Sequence, residues 1–144
     1  MGGAMLAGRV ASVTDGDTIV VRLDGGTSER LRYIGVDTPE SVPGAPVECF
    51  GQRAAAANAR VVGGRRVLLR VGAEPRDDYG RLLAYVFLAR RGGEAGLFVN
   101  AFLVARGYAR TLTIAPNDDR APLLAALESA AGRRGRGLWT ACAG

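Results

Sequence analysis

The sequence predicts an α+β domain built on a small β-barrel. Five short segments are rich in the β-branched and aliphatic residues that are typical of strands. One segment of helical character lies among these strands, and two more follow them. No repeat or linker divides the 144 residues, a length that suits one domain with its own hydrophobic core. This order of elements indicates a barrel packed against a few helices.

Turn-forming residues separate the predicted strands. The strands span residues 9–13, 18–23, 30–36, 65–71 and 81–89. Residues 24–29 (DGGTSE) form a turn after the second strand. The long apolar run of 81–89 suggests that this strand is buried on both faces. Residues 37–46 hold three prolines in ten residues, so regular structure is not expected there.

Three helices are predicted from composition and from the residues at their ends. Residues 48–62 are rich in alanine, a strong helix former, and Gly63-Gly64 ends this helix. Residues 99–107 form a short helix, with Asn100 near its start as a capping residue. The last helix lies within 118–135, where acidic residues come first and arginines last, as the helix dipole favours.

All of residues 1–144 are expected to form this single domain. Residues 1–6 are expected to be disordered or vector-derived, because they contain two glycines and a second methionine. No apolar run approaches the roughly 20 residues of a membrane span, so no membrane partner is expected. The first residues also lack the apolar centre of a signal peptide, although a signal could have been removed.

The composition excludes several kinds of catalysis. The chain has no histidine, and all 19 of its Lys+Arg residues are arginine. An imidazole base, a Ser-His-Asp triad and a Schiff-base lysine are therefore impossible. The two cysteines, Cys49 and Cys142, are too far apart in the sequence for a CxxC pair. Acid–base work must fall mainly to Asp, Glu, Tyr or Arg, and a metal would need oxygen ligands, which favours Ca²⁺ or Mg²⁺.

The charge of the chain favours a polyanionic partner. The net charge is +5 and the isoelectric point is near 10.0, as in many proteins that bind nucleic acid. A soluble protein of arginine-rich composition is the alternative. Arginine suits phosphate because its planar guanidinium donates two hydrogen bonds to two oxygens.

Polar residues concentrate where the predicted strands end. The four stretches are residues 15–18 (DGDT), Arg32, residues 37–40 (DTPE) and residues 77–81 (DDYGR). Each is explained alone by a turn or a cap, since Asp-Gly is a hairpin signal and Thr38-Pro39 suits a helix start. Together they bring carboxylates and arginines to strand ends in a basic chain, which indicates metal-assisted phosphoryl chemistry.

The order of these motifs resembles the staphylococcal (micrococcal) nuclease family, of the thermonuclease type. DGDT, an arginine four residues before VDTPE, YGR-L-LAYV and a late GLW occur in that order between residues 9 and 139. The resemblance implies a five-stranded OB-type β-barrel with three helices. It also implies a Ca²⁺-dependent endonuclease that hydrolyses DNA and RNA and leaves 3′-phosphate ends.

The resemblance also implies roles for individual residues. The Ca²⁺ ligands would be Asp17, Asp37 and the backbone carbonyl of Thr38. Glu40 corresponds to the general base, or to the group that orients the attacking water. Arg32 and Arg81 correspond to the two phosphate-binding arginines. A phosphodiester carries negative charge that grows as water attacks, so a cation and two guanidiniums suit the reaction.

The residues around this set raise a geometric question. Asp15 is expected in the turn beside the ligands, where it and Thr18 support the site without touching the ion. Strict alternation along a strand places Arg32 and Asp37 on opposite faces. A bend or bulge near Gly35 would bring them together.

The chain departs from the family where a nucleotide base is expected to bind. Asp78 stands where the best-known member has a lysine. The TLTIA segment before Pro116 lacks the two base-flanking tyrosines and is one residue short. Tyr79 remains as a substrate-binding candidate, and Tyr108 is another, with a core position as its alternative. Weaker nucleotide binding is expected.

Cys49 and Cys142 are expected to form a disulfide, with two unrelated buried thiols as the alternative. A cysteine pair without further thiols is typical of oxidising compartments, and secretion is common in the family. A secreted or cell-surface monomer is expected, and an intracellular one is the alternative. A non-catalytic OB-type module that binds nucleic acid is the second functional hypothesis. The presence of all five site side chains favours the enzyme.

Overall fold

Five strands close into a barrel, and the pairing that closes it joins segments far apart in the sequence. The computed structural model describes residues 5–41 and 48–142. Its elements in chain order are β1 (Met5–Asp15), β2 (Thr18–Leu23), β3 (Ser28–Tyr33), β4 (Gly35–Asp37), α1 (Gly51–Val62), β5 (Arg66–Arg76), β6 (Leu82–Ala89), β7 (Ala95–Phe98), α2 (Val99–Ala105), β8 (Arg110–Leu112), α3 (Ala121–Arg133) and α4 (Leu138–Ala141).

The barrel follows the strand order β3-β2-β1-β5-β6, with antiparallel neighbours. A parallel pairing of β3 with β6, in which Leu31 faces Leu82, closes the ring. β7 adds to β6 outside the barrel. The predicted α+β class and five-stranded OB-type barrel are confirmed.

Alternate residues of the barrel strands point inward and fill the core. The fully buried members include Ile19, Val21, Leu31, Tyr33, Val67, Leu69, Ala84 and Val86. In β6 the consecutive residues Ala84, Tyr85 and Val86 are all buried, as the apolar run predicts. Burying one such aliphatic side chain contributes about 1.5–3 kcal/mol, so the core holds the strand ends in fixed positions.

Two helix starts differ from the prediction. α1 begins at Gly51 and not at residue 48, because Phe50 has a left-handed backbone with φ 71°. Asn100 does not cap α2, whose N-cap residue is Phe98. Asn100 is fully buried and joins β6 to the residue between β3 and β4, since its amide oxygen accepts from the Val86 N–H and its amide nitrogen donates to the Ile34 carbonyl.

The predicted third strand is divided in two. β3 ends at Tyr33 and β4 begins at Gly35, whose φ of 77° is a conformation that favours glycine and turns the chain between them. This is the bend that the alternation argument requires. β4 then pairs antiparallel with β8, a short strand that the sequence pattern does not reveal. The bend turns Asp37 back toward Arg32.

The ends of the described chain add three observations. Met5 and Leu6 belong to β1, although the sequence predicts disorder over residues 1–6; residues 1–4 lie outside the described residues. Residues 38–41 lack regular structure, as predicted, and 42–47 also lie outside the described residues. None of the helices in the described ranges combines the length and apolar character that crossing a bilayer requires.

Candidate active site

The carboxylates of Asp17 and Asp37 meet at one guanidinium. Nη2 of Arg32 lies 3.2 Å from Oδ2 of Asp17 and 3.5 Å from Oδ1 of Asp37. Nη1 of the same arginine donates to the carbonyls of Val36 at 2.9 Å and Tyr33 at 3.1 Å. Because Nη1 is hydrogen-bonded to the backbone at the bend, the Arg32 guanidinium has a defined orientation. These three side chains form the Asp17–Asp37 cluster.

Asp17 is placed by the hairpin that joins β1 to β2. Its Oδ1 accepts from the hydroxyl of Thr18 at 3.0 Å, and its Oδ2 accepts from the backbone N–H of Thr38 at 3.1 Å. A Cβ at Gly16 would lie 2.6 Å from Oγ1 of Thr38. The glycine of the DGDT motif therefore allows the segment after β4 to pack against the hairpin.

The half-exposed side chain of Asp37 lies among both acidic and basic groups. Partial burial raises the pKa of its carboxyl, and the negative charges of Asp17 and Glu48 raise the pKa further. The positive charges of Arg32 and Arg110 act in the opposite direction but do not offset the rise. A carboxylate with an elevated pKa beside other carboxylates favours a bound cation.

The donor set of the cluster matches a hard cation. Asp17, Asp37 and Thr38 offer only oxygen atoms, the ligands that Ca²⁺ and Mg²⁺ prefer. Oγ1 of Thr38 is buried and has no hydrogen-bond partner in the described part of the chain. Within residues 5–41 and 48–142 no group of three or more His, Cys, Asp or Glu side chains is arranged to hold a metal. An ion here would therefore take most of its ligands from water and from a bound phosphate.

Asp15 and Glu40 form a second pair of carboxyl groups. Asp15 is buried, and its Oδ1 accepts from the Gly16 N–H at 2.8 Å and from the Ser41 hydroxyl. Burial raises the pKa of Asp15, and a hydrogen bond and the charge from Glu40 raise it further, against the lowering effect of Ser41 and Gly16. Asp15 thus supports Glu40, whereas Thr18 supports Asp17.

Asn58 connects this pair to the core. It is fully buried on α1, and its side-chain amide donates to the Asp15 carbonyl at 2.9 Å. Its amide oxygen accepts from the hydroxyl of Tyr33 at 2.6 Å. The end of β1 is therefore fixed to α1 and β3. The sequence offers no sign of this, because asparagine in a predicted helix is usually exposed.

Glu48 holds the backbone of Glu40 and is a second residue that sequence reasoning missed. Oε1 of Glu48 accepts from the Glu40 N–H at 2.7 Å. The Glu48 N–H donates to the Glu40 carbonyl at 2.9 Å. These contacts join residues eight apart, across a segment rich in proline, so no local pattern reveals them.

Arg81 is oriented by the turn that precedes β6. Its Nε lies 2.7 Å from Oδ2 of Asp77, and Oδ1 of Asp77 accepts from the backbone N–H groups of Tyr79 and Arg81. Burial alone would raise the pKa of Asp77, but these hydrogen bonds and the charge of Arg81 outweigh it and lower the pKa. The DDYGR motif is therefore both a turn and a support for the arginine.

Arg32 and Arg81 line one cavity of about 290 Å³, which we name the arginine cavity. Its outer wall is apolar and exposed: Tyr79 is 75% exposed, Ile114 63% and Leu112 41%. Asp78 lines the same cavity. The volume approaches the lower end of small-molecule sites, and the combination of paired arginines with an apolar wall suits a phosphate carrying an organic group.

Tyr108 lies apart from this cavity. Its ring stacks on the ring of Phe50 with centroids 5.6 Å apart, and it packs against the hydrophobic core. It therefore supports the start of α1, is partly buried against the core and does not line the arginine cavity. The apolar wall is supplied instead by Leu112 and Ile114 of the TLTIA segment.

A second cavity of about 310 Å³ opens on the other side of Asp37. Arg110 lines it, with its guanidinium carbon 4.6 Å from the ring centre of Trp139. Arg110 is also the strand partner of Asp37 in the β4–β8 pairing. Nothing in the sequence distinguishes this arginine from the others, because its position depends on β8.

Comparison with known proteins identifies relatives over most of the chain. A family model described as staphylococcal nuclease homologue matches residues 30–141. A thermonuclease of Staphylococcus intermedius is 40% identical over 131 residues, which are 90% of this chain and 74% of that protein. A thermonuclease of Staphylococcus hyicus is 40% identical over 110 residues, 76% of this chain and 61% of that protein. Endonuclease YhcR of Bacillus subtilis is 33% identical over 141 residues, 92% of this chain but 11% of its own length.

Proposed function

The chain belongs to the family of staphylococcal nuclease homologues, and we propose that it is a calcium-dependent endonuclease that hydrolyses DNA and RNA to leave 3′-phosphate ends. The observation that carries this proposal is the Asp17–Asp37 cluster, in which Arg32 lies 3.2 Å and 3.5 Å from the two carboxylates. Arg32 also shares the arginine cavity with Arg81. Carboxylates for a cation and arginines for a phosphate thus lie side by side.

Asp17, Asp37 and the carbonyl of Thr38 would hold the Ca²⁺. When bound, the ion would neutralise phosphate charge and polarise a phosphoryl oxygen. The raised pKa of Asp37 supports this assignment, because a cation would relieve the repulsion from Asp17 and Glu48.

The two arginines would hold the phosphate. Arg81 uses Nε for Asp77, and its two Nη groups have no hydrogen bond within the described ranges of the chain. Arg32 is held through Nη1 by the backbone, and its Nη2, which lies beside Asp17 and Asp37, would donate to a phosphate oxygen once a cation offsets the charge of those carboxylates. A preorganised donor of this kind contributes about 3–4 kcal/mol to the transition state.

Glu40 would act on the attacking water. The chain has no histidine and no lysine, so a carboxylate is the available base, and Glu40 is fixed through its backbone beside the cluster. Water would attack phosphorus and pass its proton to Glu40, while the bond from phosphorus to the 5′-oxygen breaks and this oxygen takes a proton from a second water to become a hydroxyl. The phosphate then remains on the 3′-oxygen.

The Cys49–Cys142 disulfide supports a secreted or cell-surface location, because such bonds persist in oxidising compartments. The chain would act there as a monomer on extracellular nucleic acid.

Digestion of plasmid DNA and of RNA tests the proposal. Cleavage is expected with Ca²⁺ and is expected to stop when a chelator is added. Mg²⁺ should support little cleavage, because it demands tighter octahedral geometry and keeps its waters. Circular plasmid should become linear, because an endonuclease cuts within a chain. Phosphatase should then release phosphate from the 3′ ends of the products. Equal rates in Mg²⁺ alone would remove the calcium assignment, and DNA retardation without cleavage would favour the non-catalytic module.

A further inference from the structure

Both backbone polar groups of Glu40 are paired with one residue, Glu48. The Glu40 N–H donates to Oε1 of Glu48 at 2.7 Å, and the Glu40 carbonyl accepts from the Glu48 N–H at 2.9 Å. The carboxyl of Glu40 has a different neighbour, Asp15, whose pKa its charge raises. Glu48 therefore sets the position of the main chain, from which the carboxyl of Glu40 reaches the site.

Glu48 is itself fixed through the next residue. Cys49 is joined to Cys142, which lies 93 residues later in the chain and directly follows α4. α4 is anchored in turn, because Leu138 is buried and its N–H donates to the Gly107 carbonyl at 2.8 Å. The disulfide thus connects Cys49, the residue that follows Glu48, to the anchored end of α4.

The other contacts of residues 48–51 involve Phe50 and Gly51. Phe50 stacks on Tyr108, and the Gly51 N–H donates to the Glu48 carbonyl at 2.9 Å. A Cβ at Gly51 would lie 2.2 Å from the Glu40 carbonyl oxygen, so this close approach also limits how α1 can move. The Glu48 side chain contacts the Glu40 N–H, and its main chain is held on one side by the Gly51 N–H and at the next residue by the disulfide of Cys49.

We propose that Glu48 is a positioning residue for Glu40 and that the Cys49–Cys142 disulfide keeps it in position, so that the rate of hydrolysis depends on the oxidation of this bond. The inference rests on the proposed function for its kinetic consequence. Reduction by a dithiol transfers two electrons and two protons: the sulfur–sulfur bond breaks, two thiols form, and the dithiol becomes a disulfide. Glu48 would then lose its anchor, and the carboxyl of Glu40 would be less well placed for the attacking water.

The first test compares Glu48→Ala with Glu48→Gln. Both remove the negative charge near Asp37, but only glutamine keeps an oxygen that accepts from the Glu40 N–H. We expect kcat on single-stranded DNA to fall about tenfold in Glu48→Ala relative to Glu48→Gln, because a small misplacement of a catalytic group lowers the rate strongly. Affinity for a 3′,5′-bisphosphate nucleotide with Ca²⁺ should be equal in the two variants. Equal kcat in the two variants would overturn the role of Glu48.

The second test removes the disulfide. Reduction of the wild type, or the Cys49→Ser/Cys142→Ser variant, should lower kcat to about the level of Glu48→Ala. Adding Glu48→Ala to the cysteine variant should lower it no further, because the two changes act through one contact. Assays are made at a temperature where circular dichroism shows the variants to be folded. Full activity of the reduced protein, or additive losses, would contradict the proposal.

A third measurement does not depend on activity. The Glu40 amide should exchange its hydrogen about tenfold faster in the reduced protein and in Glu48→Ala than in the oxidised wild type. Arg53→Ala is the matched control, since it removes a cation–π contact with Phe50 and does not touch Glu48; it should change neither exchange nor kcat. An unchanged Glu40 amide would end the inference even if the enzyme is a nuclease. Lack of cleavage by the oxidised wild type would instead end the proposed function.

Discussion

At the Arg32 end of the site, which includes Asp17 and Asp37, hydrogen bonds and ion pairs hold the side chains, whereas the Tyr79 end presents exposed and mostly apolar side chains. Asp17 is 6% exposed, and both of its carboxylate oxygens accept hydrogen bonds. Tyr79, Leu112 and Ile114 face the arginine cavity from the surface. Apolar contact of this kind imposes little direction on a bound group.

This difference separates rate from affinity. Reacting groups must be held within fractions of an ångström, and the network around Arg32 can do so. An apolar wall contributes binding in proportion to area and tolerates exchange of its side chains. Substitutions at the Arg32 end should therefore change kcat, and substitutions at the Tyr79 end should change the Kd of a nucleotide.

The largest effect is expected from Glu40→Gln, which should lower kcat about 10³-fold because an amide cannot take a proton from water. The side chain keeps its length and the Asp17–Asp37 cluster is untouched, so Ca²⁺-dependent nucleotide binding should persist. Initial rates on single-stranded DNA and calorimetry with a 3′,5′-bisphosphate nucleotide measure the two quantities. If nucleotide affinity fell and kcat did not, Glu40 would act in substrate binding, and the Arg32 end would not control the rate as we expect.

Arg32→Lys and Arg81→Lys should each lower kcat about 10²-fold, because a point charge cannot replace a guanidinium that binds two oxygens. Arg22→Lys is the matched control: Arg22 is exposed on β2 and does not line the arginine cavity. It should retain the wild-type rate. Circular dichroism verifies that all three variants fold. Near-normal turnover in Arg32→Lys or Arg81→Lys would assign that arginine to packing.

Ile114→Tyr should strengthen nucleotide binding about tenfold while leaving kcat within a few-fold, since stacking one base on a ring contributes about 1–3 kcal/mol. Thr113→Tyr, next to it but outside the cavity lining, is the control and should have no effect. Titration calorimetry compares the variants. A tyrosine at 114 that left the Kd unchanged would show that the base does not contact this wall.

Asp78→Lys should have the smallest effect, about a threefold lower Kd, because the charge change is exposed and screened by salt. The slope of the logarithm of the binding constant against the logarithm of the salt concentration should become steeper by about one. Glu94→Lys makes the same charge change in the turn between β6 and β7, far along the chain from the cavity residues, and should leave the Kd unchanged. Similar gains in both variants would indicate a general effect of net charge.

The parts of the fold that follow from local pattern were predictable. Alternation and turn residues locate the five barrel strands, and the bend near Gly35 follows from alternation once the resemblance places Arg32 and Asp37 in one site. The start of α1 was missed because it depends on the left-handed backbone of Phe50, a residue type that rarely adopts it. β8 was missed because three residues without a turn signal carry no pattern.

In the candidate site, too, residues within local motifs were predictable, whereas residues with partners far away in the sequence were not. Motif resemblance points to Asp17, Arg32, Asp37 and Arg81; the structure places both aspartates at the Arg32 guanidinium, and Arg32 shares the arginine cavity with Arg81. Glu48 and Asn58 could not be found, because their partners lie 8 and 43 residues away in the sequence. Leu112 and Ile114 were noticed only as missing tyrosines, since apolar residues in a short segment look like core until their exposure is known.

The Cys49–Cys142 bond also turns the second two-thirds of the molecule into a covalent ring. α1, β5, β6 and Arg81 lie inside it, whereas Asp17, Arg32 and Asp37 lie outside. In the unfolded state this ring cannot extend freely, which in the chain-entropy model stabilises the fold by about 4–5 kcal/mol. A protease that cuts once within the ring leaves both pieces joined, so that the barrel can stay assembled around its cleft after the backbone is broken.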